Sequence, residues 1–170
     1  DLAERQRLYP ELKHHPMTAE RIILGGAPEG FDARLLAREL QKGRSVIHVA
    51  RDDKRAEAMR AALAVMAPEV PVLDFPAWDC LPYDRVSPNP EISARRMASL
   101  AVLADGVAAP VVLLTTLNGV TQKVPAREVV RAASFRATVG ERVDEARLKQ
   151  FLARMGFSPV STVAEPGDYA

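Results

Sequence analysis

Ile22-Ile23-Leu24-Gly25-Gly26-Ala27-Pro28-Glu29-Gly30-Phe31-Asp32 runs from an apolar stretch through a glycine turn into a helical pattern. From Gly25 to Asp32 it follows the frame of a phosphate-binding loop, G-x-x-x-x-G-K-[ST]. Phe31 stands where the lysine belongs and Asp32 where the magnesium-binding hydroxyl belongs. Such a loop needs the lysine to reach the β- and γ-phosphates and the hydroxyl to hold the metal. Phe31 carries no charge, and Asp32 sets a carboxylate beside a would-be triphosphate. That carboxylate suits a helix start, where it accepts from free N–H groups and complements the positive dipole end. The stretch therefore predicts a nucleotide-type fold whose phosphate site is filled by the protein's own anion.

The pattern continues outward in two alternating periods. Ile22-Ile23-Leu24 reads as a strand; Phe31, Leu35, Leu36 and Leu40 recur at helical spacing until Gly43. Residues 45–50 read as a second strand, and Asp52 caps a helix running to about Ala67. Residues 70–73 give a third strand, 91–104 a helix, 111–116 the most strand-like run, and 125–133 a short helix. Strands alternating with helices predict an α/β fold, a parallel sheet with helices on both faces. After Ser134 the pattern changes to a short strand at 135–139, a helix at 144–155 ended by Gly156, and a strand at 158–163. This reads as the start of a small α+β unit. The chain then stops without a natural boundary, which predicts a piece of something longer. Residues 1–20 are charged, lack an apolar face and read as a peripheral lead.

The bulk numbers exclude several classes. The 170 residues are 48% hydrophobic and 26% charged, with a net charge of +1, so overall charge points to neither a polyanion nor an acidic partner. No apolar stretch approaches the roughly 18 residues that span a bilayer, and no signal-peptide core opens the chain. Cys80 is the only cysteine, so there is no disulfide framework and no cysteine-rich metal site. A cytoplasmic protein is expected.

Candidate chemistry is sparse. An ATPase reading of Gly25–Gly30 also needs an apolar strand ending in a metal-binding Asp. Residues 111–114 end in Thr115-Thr116 and fail; 70–74, ending in Asp74, fits formally. A dinucleotide fold would use Asp52 after the second strand, but the glycine spacing is wrong. An anion nest at Gly25–Gly30 serving a nucleotide-dependent enzyme stays open as a rival. The favoured reading of Gly25 and Gly30 is a tight strand-to-helix turn, with no cofactor and no catalytic residue. His14, His15 and His48 have no ligand at metal-binding spacing, so no metal site is expected; Cys80 has no nearby base.

Residues 74–90 hold four prolines and three aromatics, a long stiff loop of the kind that carries function. Arg85, Arg95 and Arg96 flank it, with Trp78 and Tyr83 inside. Two readings stay open: base stacking with phosphate contact, making a direct DNA-binding module, or aromatics packed on the sheet beneath solvated arginines. Packing is favoured, because Asp79, Asp84 and Glu91 dilute the charge.

Taken together, Gly-Ala-Pro-Glu-Gly-Phe-Asp at 26–32, Phe-Pro-Ala-Trp-Asp-Cys-Leu-Pro-Tyr-Asp-Arg-Val-Ser-Pro-Asn-Pro-Glu-Ile at 75–92, Thr-Thr-Leu-Asn-Gly-Val at 115–120 and Glu-Pro-Gly-Asp-Tyr-Ala at 165–170 resemble the N-terminal module of bacterial transcription-repair coupling factors. The resemblance runs over residues 21–170 and implies a module similar to the damage-recognition protein UvrB. Residues 21–133 would be a RecA-like domain that has lost its ATP site, and 134–170 part of a UvrA-recruiting α+β domain. The hairpin that wedges into DNA in UvrB is absent here. By the same resemblance, ATP and magnesium would act in motor domains outside this chain, where DNA translocation and removal of stalled RNA polymerase reside. The arginine and aromatic contacts to UvrA would fall beyond Ala170.

Overall fold

The computed structural model describes residues 23–81, 85–164 and 167–170. Its centre is a three-stranded parallel sheet of β1 (Val46–Ala50), β2 (Val72–Phe75) and β3 (Val112–Thr116), in the order β1-β3-β2. Val46, Val112 and Val72 make one cross-strand row, and His48, Leu114 and Asp74 share its face two residues on. Helices α1 (Phe31–Gln41) and α2 (Asp53–Met66) cover that face. Their Ala33, Leu40, Met59 and Leu63 close over Val112 and Leu114 as the core. Leu63 and Leu114 are almost wholly buried, each worth about 2 kcal/mol of transfer free energy. The opposite face carries Phe75 and meets α3 (Pro90–Asp105), on which α5 (Arg127–Ala132) packs. An α/β fold is what the alternating periods predict.

The helix boundaries follow local chemistry. The Asp52 side chain accepts from Arg55 N at 2.9 Å and starts α2, as expected. Asn89 caps α3 by accepting from Glu91 N, with Pro90 in the first turn. Gly43, at φ +79°, follows the end of α1 in the left-handed region. Asp144 caps α6 (Glu145–Arg154) by accepting from Arg147 N.

The strands depart further from expectation. Ile23 and Leu24 are irregular and exposed, so no strand precedes the glycine turn there; Ile22 lies outside the described residues. Three apolar residues specify no face, and the glycines that follow favour an open chain. The third strand begins at Val72 rather than Val70, because Pro71 has no N–H to give to the ladder. Residues 135–139 form no strand: none of the strands among the described residues pairs with them, and Val139 is fully exposed. Of 158–163, only β4 (Ser158–Pro159) is extended, paired in parallel with β5 (Asp168–Tyr169). A short helix, α4 (Leu117–Thr121), follows β3 where the periodicity showed none. Among the described residues no helix is long and apolar enough to cross a membrane. The lead at 1–20, with His14 and His15, lies outside the described residues.

Candidate functional site

The glycine turn closes on itself. Gly30, at φ +81°, occupies the N-cap position of α1, a conformation that disfavours any side chain. The Phe31 N–H, one of the amides a phosphate would need, donates to Pro28 O at 3.2 Å. Two residues on, Ala33 N donates to Asp32 Oδ1 at 2.9 Å. Arg55, from the first turn of α2, reaches across to Glu29 Oε1 at 2.9 Å and Asp32 Oδ2 at 3.5 Å. The loop's two carboxylates thus face a guanidinium from the neighbouring helix. His48 of β1 is half-buried nearby; burial pushes its pKa down, Asp32 opposes and Arg55 reinforces that shift.

Open α/β sheets take ligands at the carboxyl ends of their strands, and here a crevice of about 470 Å³ opens at the ends of β2 and β3. Its floor is an ion-pair chain. Asp74 Oδ2 accepts from Arg60 of α2 and, at 3.2 Å, from Arg95 of α3. Arg60 also donates to Glu57 at 3.1 Å, and Arg95 lies 3.8 Å from Glu91. The hydrogen bond to Asp74 raises the Arg60 pKa, so the guanidinium is held charged. Asp74, the formal candidate for a metal-binding carboxylate, is turned to two guanidinium groups that repel a divalent cation. At the turn itself, Phe31 and Asp32 supply neither ammonium nor hydroxyl, and the carboxylates of Glu29 and Asp32 are paired with Arg55.

The proline-rich loop is anchored by a buried cation. Arg96 is 1% exposed, with its guanidinium carbon 4.0 Å from the Phe75 ring centroid and 4.4 Å from that of Trp78. Its Nη1 donates to Pro76 O and, at 3.0 Å, to Gln122 Oε1; the same oxygen accepts from Trp78 N at 2.9 Å. The Nε has no hydrogen-bond partner among the described residues, and the ring faces supply part of its compensation. Burial lowers the Arg96 pKa. Further along, Asn89 N donates to Asp79 Oδ1 at 3.1 Å and holds the far end.

For Arg96 the nucleic-acid reading is therefore corrected: a guanidinium enclosed by two rings and two carbonyl oxygens has no face left for a phosphate. Arg95 is half-buried on Asp74. Arg85 is exposed and makes no ion pair among the described residues. With Arg96 buried, the three arginines do not share one exposed surface. Cys80 is a free thiol, partly buried.

Sequence reasoning missed Arg55, Arg60 and Gln122, whose partners lie far along the chain. One signal was visible in Thr115-Thr116-Leu117-Asn118-Gly119. Thr116 Oγ1 accepts from Gly119 N and starts α4, while Thr115 Oγ1 donates to Phe75 O at 2.7 Å. A Cβ on Gly119 would stand 2.5 Å from Thr115 Oγ1 and 3.1 Å from Phe75 O, so glycine lets α4 press against the loop's root.

No family model matches the chain. It is similar to transcription-repair-coupling factors. That of Myxococcus xanthus is 32% identical over 133 residues, covering 74% of this chain and 11% of the relative. The Haemophilus influenzae protein is 25% identical over 148 residues, 87% of this chain and 13% of the relative. The Escherichia coli protein is 25% identical over 152 residues, 89% of this chain and 13% of the relative. The resemblance read from the sequence is borne out, as a distant one, and the chain spans only 11–13% of the length of these relatives.

Proposed function

We propose that this chain is a non-catalytic, UvrB-like docking module of a transcription-coupled DNA-repair translocase. Residues 21–133 would be a RecA-like unit that has given up its nucleotide site. Residues 134–170 would begin the unit that recruits UvrA, through contacts lying mainly past Ala170. ATP, magnesium, RNA polymerase and the duplex DNA along which the motor moves would engage other parts of a cytoplasmic parent protein, and the module would stay masked until polymerase is engaged.

One observation carries this reading. Where a nucleotide-binding α/β protein holds phosphates and metal, this chain has Arg55 tied to Glu29 and Asp32, and Arg60 and Arg95 tied to Asp74. Those groups neutralise one another and hold the loop and crevice as surface. The similarity to transcription-repair-coupling factors supports the repair assignment.

Titration calorimetry with ATP and magnesium tests the retired site. No heat of binding is expected up to millimolar nucleotide; micromolar affinity would favour the rival enzyme built on Gly25–Gly30. Deleting the segment from the parent tests the docking role. UvrA capture is expected to vanish while DNA-stimulated ATPase persists, and retained capture would dismiss it.

A further inference from the structure

A second arginine-lined cavity lies away from the sheet. Between the end of α5 and α6, about 400 Å³ is lined by Arg131, Phe135, Arg147, Gln150, Phe151 and Arg154, together with Ala132 and Ser134. The lining holds three guanidinium groups and no carboxylate. None of the three makes an ion pair among the described residues. Arg131 Nη2 donates to Ala104 O at 2.7 Å and Arg154 Nη2 to Ala132 O at 3.0 Å. Those bonds fix two guanidiniums in place without a counter-charge, and Arg154 also lies over the Phe151 ring, 5.8 Å from its centroid; their other N–H donors have no acceptor among the described residues.

Arg131 and Arg154 lie in the last turns of α5 and α6, where a cation suits the helix dipole. Arg147 has no such excuse. It sits in the first turn of α6, the end that disfavours a cation; its backbone N–H is capped by Asp144, and its exposed side chain has no partner among the described residues. The aromatic part is built as well: the Phe135 and Phe151 rings pack 5.4 Å apart at 44°, both half-buried at the cavity wall. Residues 127–154 carry seven basic and four acidic side chains, more positive than the chain's net +1.

We propose that this cavity binds one nucleotide of a single-stranded nucleic acid, with its phosphate among Arg131, Arg147 and Arg154 and its base against the Phe135 ring. Guanidinium forks match phosphate oxygens bidentately. A flat ring beside them matches a base, because stacking tolerates any sequence. An acidic peptide offers the charge without the aromatic face. A duplex keeps its bases stacked and out of reach of a recess this size. The Gln150 side chain at the rim can meet a base edge.

Fluorescence anisotropy on the whole chain tests this, using labelled oligothymidylate or oligouridylate of about twelve nucleotides. Binding is expected to weaken steeply with salt. Arg147→Glu is expected to reduce affinity about tenfold or more and to flatten the salt dependence. Phe135→Leu, which keeps an apolar wall, should weaken the oligonucleotide while leaving inorganic polyphosphate unchanged. Arg38→Glu, on the far helix α1, should change nothing. Circular dichroism checks each fold, and Arg147→Gln replaces the charge reversal if that variant unfolds. The relative affinities for the two oligomers identify DNA or RNA as the natural strand. Wild-type affinity in Arg147→Glu, no binding at all, or displacement by charge-matched polyglutamate as effective as by unlabelled oligonucleotide would each overturn the proposal.

Discussion

The crevice at the strand ends and the cavity between α5 and α6 both gather arginines, and they use them in opposite ways. In the crevice, Arg60 and Arg95 converge on Asp74, with Glu57 and Glu91 behind them. In the cavity, Arg131 and Arg154 bond to carbonyl oxygens, which fix direction without cancelling charge. A carboxylate neutralises a guanidinium; a carbonyl only steers it. Counting arginines therefore says little about anion binding, and what each one donates to decides it.

The comparison can be broken most forcefully at Arg96, the cation that neither region contains. Replacing it with Ala should cost about 3 kcal/mol in urea denaturation, because Pro76 O and Gln122 Oε1 lose their donor and a gap opens between the rings. Arg96→Met fills most of that space and should recover part of the loss. Equal stability of all three proteins would mean that the buried cation anchors nothing.

Next in size, Asp74→Asn should convert the crevice into a second cationic site. Two guanidiniums left facing an amide are expected to destabilise the fold by about 1–2 kcal/mol. They should also create affinity for pyrophosphate that the wild-type crevice lacks, readable by calorimetry. Loss of stability with no gain in anion binding would show that charge cancellation is not what closes the crevice.

Arg55→Ala should have a smaller effect. Its ion pairs with Glu29 and Asp32 are solvent-exposed, so less than about 1 kcal/mol is expected. Hydrogen exchange should quicken at residues 25–33 and nowhere in β1–β3; protection lost throughout would make Arg55 a core residue instead. The smallest effect concerns pH. Burial holds the His48 pKa below its ordinary value, so the unfolded chain takes up a proton before the folded one does. That contribution to stability is complete above about pH 6.5 and is lost as pH falls through the depressed folded value. His48→Gln should flatten stability between pH 7 and 5, and an unchanged profile would remove His48 from the account.

Local chemistry was legible in the sequence. The Asp52 cap, the glycine after α1, and the missing ammonium and hydroxyl at Phe31 and Asp32 all depend on neighbours within a turn. The strands were less legible, because pairing needs a partner: 135–139 has the composition of a strand and pairs with none among the described residues. Arg95 and Arg96 are adjacent in sequence and chemically identical, yet one rests on Asp74 at the crevice and the other is sealed between Phe75 and Trp78. Helical rotation of 100° per residue separates their fates, and no composition argument sees it.

The sequence by itself determined that this turn lacks the groups a triphosphate needs and that the chain alternates strand and helix. Both follow from residue identity and short-range periodicity. Only the tertiary structure decided which arginines are given a counter-charge, since Arg55, Arg60 and Arg95 meet carboxylates on other elements and Arg154 meets a carbonyl oxygen. Electrostatic compensation is set by distance in space, and the fold alone supplies that distance.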